Sequence, residues 1–315
     1  MRVLVTGATG FVGARLAETL AASGHDVRCL VRDAARARHL RERGFALHEG
    51  DVLRPQTLTG AGRDVDIAYY LVHLMGRGAT GDFAEQEHRA ARAFARMARA
   101  ESVDRVVYLG GLGDRPGSAH LRSRHETARV LAAEGPPLTY FRAAMVVGAQ
   151  SESYRTLRAL VERLPVMVAP AWLRTPTQPI GIDDTIAYLA GALDVPASTG
   201  REVQIGGPDV LSYGEMLDRM AVAIGRRPRP KVPVPLLTPR LSSLWLGLVT
   251  PVDTGVARPL VEGLRTATTV TDPSGAALFA VRPQPFDAAL TRAIQEERAP
   301  ADERPADRLR TPAGS

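Results

Sequence analysis

The sequence predicts an α/β protein: a doubly wound parallel sheet followed by a smaller second lobe. Three observations carry that expectation. Short apolar strands alternate with helix-length stretches through the first 150 residues, a rhythm that demands a parallel sheet with helices on both faces. A glycine-rich turn, "GATGFVG" at 7–13, joins the first strand to the first helix. Beyond residue 150 the alternation loosens and a proline-rich connector, "RRPRPKVPVPLLTP", interrupts it.

The elements follow in order. "RVLVT" is a short apolar strand, and the helix after the glycine turn ends at Gly24. "DVRCLVR" is the second strand, "AARARHLRERG" an amphipathic helix closed by Gly44, and "FALHEGDV" the third strand with its exit. "VDIAYYLVH" is the fourth strand and a long polar helix spans 82–101. "DRVVYLGG" is the fifth strand, "HLRSRHETARVLAAEG" a helix, and "LTYFRAAMVVG" the sixth strand, running over 138–148. Right-handed crossovers wind residues 1–150 into one nucleotide-binding type of domain.

Residues 151–295 form the smaller lobe, with strands returning to the edge of the first domain. "SESYRTLRALVERL" reads as a helix, "QPIGIDDTIAYLAGAL" as a strand edge running into a helix, and "EVQIGG" as a strand. Ser212, with Glu215 three residues on, is a capping box that opens another helix. "LSSLWLGLVTPV" at 241–252 puts Leu241, Leu244, Trp245 and Leu248 on one helical face, for packing or for a protein or membrane-surface contact. It is too short to span a bilayer, which takes ~20 residues. The charged, Ala/Pro-rich stretch 296–315 has no periodicity and is expected to be disordered.

Charge and cysteine content narrow the function classes. The net charge of +6 comes from 40 basic residues spread among 34 acidic ones. Without a basic block interleaved with aromatics, a nucleic-acid footprint is not expected. Cys29 is the one cysteine, in a predicted buried strand, which excludes an internal disulfide and a cysteine-rich metal site. No metal ligands are assigned. A reducing cytoplasm fits, as does an N-terminus that passes straight into a strand.

The glycine turn carries specific chemistry. Gly7 allows a sharp turn, Gly10 lets main-chain amides approach a diphosphate, and Gly13 lets the helix pack close to the sheet. Thr9, Phe11 and Val12 share that turn and complete the candidate phosphate contacts. The second strand ends at Arg32, whose guanidinium suits a 2′-phosphate, so NADP(H) is expected over NAD(H). Asp33 beside it could serve a ribose instead. Asp51 and Val52 end the third strand, where an adenine would lie, unless Asp51 is a turn residue. Leu71 and His73 follow the fourth strand, on the nicotinamide side.

These motifs resemble the atypical short-chain dehydrogenase/reductase superfamily, in its NmrA-like NAD(P)-binding branch. "TGATGFVG", "LVRD", "GDV", "FRAAMVVG" and "QPIGIDDTIAYL" carry the resemblance, over roughly residues 1–225. Similar bacterial proteins often continue into a further C-terminal domain. The resemblance implies a Rossmann domain, a bound nicotinamide dinucleotide and a Tyr-x-x-x-Lys pair on the helix after the fifth strand, with a serine at that strand's end. This chain has His120-x-x-x-Arg124 at that spacing, and Gly110 and Gly111 in the serine region. Lys231, its only lysine, lies in the proline-rich connector.

Arg124 is left to bind ribose or phosphate, and His120 is either a proton carrier or a polar residue at a helix start. His125 and Glu126, one turn on, read as ordinary helix surface. Tyr154, near Ser151 and Ser153, is the spare phenol, or a packed residue behind an N-terminal cap. Trp172 covers an apolar pocket or fills the lobe. The sequence therefore points to an NADP(H)-binding oxidoreductase with a non-standard site and a small, apolar or quinone-like substrate. The alternative is a non-catalytic NADP(H)-dependent sensor or assembly scaffold.

Overall fold

The computed structural model describes residues 1–73, 83–113, 119–164, 167–169, 171–233 and 264–299. Seven strands form its main sheet: β1 (Arg2–Thr6), β2 (Asp26–Val31), β3 (Ala46–Glu49), β4 (Ile67–Tyr70), β5 (Arg105–Gly111), β6 (Leu138–Ala143) and β7 (Glu202–Ile205). Their order is β3-β2-β1-β4-β5-β6-β7, and every neighbouring pair is parallel. The order reverses between β1 and β4, so a crevice opens beyond the carboxyl ends of those two strands, where ligands of such sheets bind.

Period-two burial along the strands separates two apolar layers. Val3, Val5, Cys29, Tyr69, Val107, Phe141 and Val203 face α1 (Phe11–Ala22) and, further along the chain, α6 (Ile182–Gly191). Leu4, Leu30, Ala68, Tyr70, Val106, Tyr108 and Leu138 face α3 (Phe83–Ala100) and α4 (Ala119–Glu134). Burial pushes the Cys29 thiol up to about 12, so it behaves as a small apolar core residue. A third cluster belongs to the smaller lobe. It joins α5 (Glu152–Arg163), α7 (Tyr213–Ala223) and α8 (Phe286–Arg298) through Tyr154, Leu157, Trp172, Met216 and Leu290.

Several elements differ from expectation. The second helix, α2, covers only Arg38–Glu42. Residues before it turn around Asp33, whose carboxylate accepts from Arg36 N at 2.9 Å and whose carbonyl accepts from Ala37 N at 3.1 Å. The sixth strand stops at Ala143; Val146–Val147 then pairs in parallel with Ile180–Gly181. Ile180 N, bonded to Met145 O at 3.0 Å, pulls the chain off the sheet, which carries Ala144 to Val146 over the crevice.

Within the proline-rich connector, Lys231–Pro233 pairs in parallel with Met167–Ala169, and Lys231 is ion-paired to Asp218. The first three residues of the stretch expected to be disordered, Glu296 to Arg298, finish α8 instead. Glu296 pairs there with the buried Arg15 of α1. The apolar stretch 241–252 and residues 300–315 lie outside the described residues. No helix among the described residues is long and apolar enough to cross a membrane.

Candidate dinucleotide cleft

At the end of β1 the Thr6 hydroxyl donates to Tyr69 O at 2.9 Å and accepts from Leu71 N at 3.0 Å. Those bonds fix β1 against β4, and the chain then turns at Gly7 with φ +69°. A Cβ at Gly7 would meet Leu71 O at 2.7 Å, and one at Gly13 would meet Gly7 O at 2.2 Å. Neither position admits a side chain without moving backbone. Helix α1 opens at Phe11 with Gly10 as N-cap, no side-chain cap and no acid in its first turn. Its leading amides are therefore free of side-chain partners, and the positive end of the helix dipole is unopposed. The residues present fit a diphosphate at this turn.

The turn lies in a cleft of about 1410 Å³ that also holds every other residue expected to touch a cofactor: Thr9, Phe11, Val12, Arg32, Asp51, Val52, Leu71, His73 and Arg124. Drug-sized ligands occupy roughly 300–1,000 Å³, so the cleft has room for a dinucleotide and a second molecule.

At the β2–β3 end the acids are committed to main chain. Asp33 accepts from Arg36 N, Glu49 from Ala34 N at 3.3 Å, and Asp51 Oδ1 from Leu53 N at 3.0 Å. Asp51 is thus a turn residue as well as a cleft residue. Arg32 and Arg36 line the cleft and have no ion pair among the described residues. Arg36 and Arg54, both cleft residues, are additions that the strand-end motif did not single out.

The opposite end is built from side chains. A Cβ at Gly110 would lie 2.6 Å from the Tyr140 ring and one at Gly111 2.8 Å from Leu121, so packing closes the region where relatives place a serine. Arg124 Nη2 donates to His73 Nε2, which fixes His73 as the tautomer protonated on Nδ1. That nitrogen faces Glu87 Oε1 at 3.7 Å, and Ser123 Oγ donates to Glu87 Oε2. Glu87, on α3, is only 4 % exposed.

Desolvation tends to raise the Glu87 carboxyl, but His73, Ser123 and Arg124 together hold it below its ordinary value. Desolvation, then Arg124, pushes His73 down to about 4, against the pull of Glu87. His120 is pushed down to about 3 by desolvation, Arg124 and His73. Both imidazoles are neutral at physiological pH. The His120 ring lies 6.4 Å from that of His73, and its Nδ1 is buried without a hydrogen-bond partner among the described residues.

The same cleft is also lined by the apolar residues Leu157, Leu160, Trp172, Tyr213, Leu217 and Leu264. Trp172 stacks edge-on to Tyr213 at 6.1 Å, and its Nε1 is buried without a partner. It both lines the pocket and belongs to the lobe's core. Ser151 is the N-cap of α5, accepting from Tyr154 N at 3.1 Å. Tyr154 itself turns away from the cleft: its phenol donates to Glu297 Oε2 at 2.8 Å, and desolvation raises it. Of the two expectations for Tyr154, this is the packed residue behind an N-terminal cap. His125 is also more than helix surface, since its Nε2 contacts Gly113 O at 3.1 Å and its Nδ1 the Tyr140 hydroxyl at 3.3 Å.

Glu87 and Ser123 were missed by sequence reasoning. The signal was present: Glu87 is in phase with the buried Ala90, Ala91 and Phe94 at helical spacing, an acid on an apolar stripe.

The profile of the NAD(P)H-binding family matches residues 7–158, the sheet half that contains this cleft. That match and the shared fold support the resemblance to the NmrA-like NAD(P)-binding branch of the atypical short-chain dehydrogenase/reductase superfamily. Among curated relatives, the photosystem II assembly factor Ycf39 of Synechocystis is 39 % identical over 66 residues, covering 21 % of this chain and 20 % of that protein. The mitochondrial NADH dehydrogenase (ubiquinone) 1 alpha subcomplex subunit 9 of Arabidopsis thaliana is 27 % identical over 251 residues, 74 % of this chain and 60 % of its own length. The chain thus spans less than two thirds of either. The NAD(P)H azoreductase of Xenophilus azovorans is 26 % identical, with 71 % and 74 % covered. Among solved structures, the NADPH-dependent quinone oxidoreductase of Escherichia coli complexed with NADPH superposes with a TM-score of 0.71. It is 19 % identical, over 93 % of this chain and 100 % of that one, and shows the shared fold.

Proposed function

We propose that the protein is an NADP(H)-dependent oxidoreductase acting on a flat, apolar acceptor of the quinone class. The observation that carries this is a single cleft lined both by the glycine cradle and Arg124 and by the apolar residues around Trp172. The backbone amides of the 7–13 turn hold the diphosphate, Val52 flanks the adenine and Leu71 faces the nicotinamide. Arg32 and Arg36 select the 2′-phosphate and so favour NADP(H) over NAD(H). Bound NADPH supplies a hydride. A Tyr/Lys pair is dispensable for an acceptor that can take its proton from water after reduction. The azoreductase and quinone oxidoreductase among the relatives and neighbours support the same chemistry.

The test is NADPH oxidation with 1,4-naphthoquinone, an azo dye and an aromatic aldehyde as acceptors. Turnover with the quinone and none with the aldehyde is expected. A second reading, a nucleotide-dependent assembly or sensor protein, draws on the absent pair and on the assembly factor among the relatives. It predicts that NADPH raises the melting temperature while no acceptor is turned over.

A further inference from the structure

Glu87 is a buried carboxylate that cofactor binding does not use. It could have neutralised Arg124 directly. Instead a neutral imidazole lies between them: His73 accepts from Arg124 through Nε2 and turns Nδ1–H toward Glu87, which Ser123 holds from behind. Arg124 has no ion pair among the described residues, and its Nε is buried without a partner. The guanidinium is therefore fixed in place with no carboxylate in direct contact among the described residues, and His120 Nδ1 in the same cluster is also without a hydrogen-bond partner among them. A stationary cation with an unsatisfied donor, in the same cleft as Trp172 and Tyr213, matches an oxygen anion on a planar aromatic molecule.

We infer that Glu87 is a positioning residue which, through His73, presents Arg124 as a binding site for an aromatic oxyanion. This rests on the reductase reading and deepens it. An acceptor that takes up a hydride gains two electrons and one hydrogen, which leaves negative charge on its oxygen until water protonates it. Arg124 stabilises that anion in place of a proton donor. The site accordingly favours quinones, whose reduced oxygen is a phenolate, and aromatic carboxylates bind it as inert mimics. The titratable groups packed around it are His73, His120, Glu87, Tyr108 and Tyr140. None of them changes charge between pH 6 and pH 8, so binding is flat over that range.

The experiment uses benzoate as the redox-inert probe, added to the full chain with NADPH bound and followed by calorimetry. Nitrogen NMR of the imidazoles is recorded on the unmodified protein. Expected are saturable benzoate binding with constant affinity from pH 6 to 8 and a His73 signal of the Nδ1–H tautomer. Loss of affinity by roughly tenfold or more is expected in Arg124→Met, the scale of one charge-assisted hydrogen bond. Glu87→Leu should weaken binding and shift the tautomer, while Glu87→Gln, which keeps an acceptor for Nδ1–H, should retain both.

No benzoate binding, an unaffected Arg124→Met, or an Nε2–H tautomer in the unmodified protein overturns the inference. So does equal loss in both Glu87 variants. If Glu87→Leu fails to fold, the tautomer and the Gln variant decide. Benzoate binding with no acceptor turned over would remove the reductase reading and leave this site; turnover without benzoate binding does the reverse.

Discussion

The two ends of the cleft are made in different ways. The phosphate end is backbone: a turn at Gly7, a helix start at Gly10 and a close contact at Gly13, all within seven consecutive residues. The far end is side chain: Glu87 from α3, His73 from the exit of β4, and His120, Ser123 and Arg124 from α4. A backbone site tolerates little because any Cβ displaces main chain, yet it can be read from a local pattern. A side-chain site is assembled from segments up to 51 residues apart, as Arg124 and His73 are, and it can change its chemistry while the fold stays. Loss of a Tyr/Lys pair beside an intact glycine turn is the consequence.

The strongest way to break this contrast is at Gly13. In Gly13→Ala the new Cβ would sit 2.2 Å from Gly7 O, too close for either helix or turn to stay in place. Overpacking costs about 3 kcal/mol, so NADPH affinity should fall roughly a hundredfold, as read by fluorescence titration. Retained affinity would mean that the diphosphate is not held by this turn.

A smaller effect is expected at Arg32, where the site changes from backbone to side chain. Arg32→Ala should lower NADPH affinity roughly tenfold and leave NADH unchanged, since only the former offers a second charge-assisted contact. Arg36, lining the same end, shares the role, so the double variant should lose more. Equal affinities for the two cofactors in the unmodified protein would refute the preference.

What was legible in the sequence follows the same division. The strands, the glycine turn and the capping box at Ser212 declare themselves through local periodicity and spacing, and the structure has them at those positions. Strand β6 is shorter than the sequence predicts for a non-local reason, and helix α2 for a local one. Ile180, 35 residues on, takes Met145 O, and Asp33 offers the chain a turn that competes with the helix. Tyr154 had the right residue type beside the right cap, but its direction is set by Glu297 on α8. The burial of Glu87 is legible from its place on an apolar stripe, but its partners, His73 and Ser123, are distant in sequence and are not.

Helix α8 joins the phosphate end to α5, and its disruption should be felt as stability more than affinity. Arg15 is 4 % exposed and pairs with Glu296, 13 % exposed, while its Nη1 donates to Phe11 O at 3.1 Å behind the phosphate turn. Desolvation lowers the Arg15 guanidinium and Glu296 raises it, so the pair sustains a buried charge. Removing one partner of a buried pair costs about 3–5 kcal/mol, and the amide of Glu296→Gln recovers part of that through its carbonyl. Unfolding free energy in urea should fall by about 1–3 kcal/mol, with NADPH affinity changed less than in Arg32→Ala. A silent Glu296→Gln would separate α8 from the nucleotide domain energetically.

The smallest expected effect is the pH dependence of stability, and it belongs to the side-chain end alone. His73 and His120 lie at about 4 and about 3 in the folded chain, against about 6.5 when unfolded. As pH falls from about 6.5 toward 4 the unfolded chain binds protons that the native state refuses, so stability drops over that window. Each imidazole contributes a slope of at most about 1.4 kcal/mol per pH unit. His73 gives less, because its side chain is 32 % exposed and water screens it. Glu87, depressed in the folded state, adds stability that is present above about 4.5 and fades only below it, so it cannot account for a loss between pH 6.5 and 5. Urea midpoints at pH 7.5, 6 and 5 should decline in that order, and His120→Gln should flatten the decline. A flat profile in the unmodified protein would mean that the histidines are solvated, and with them the cluster that replaces the Tyr/Lys pair.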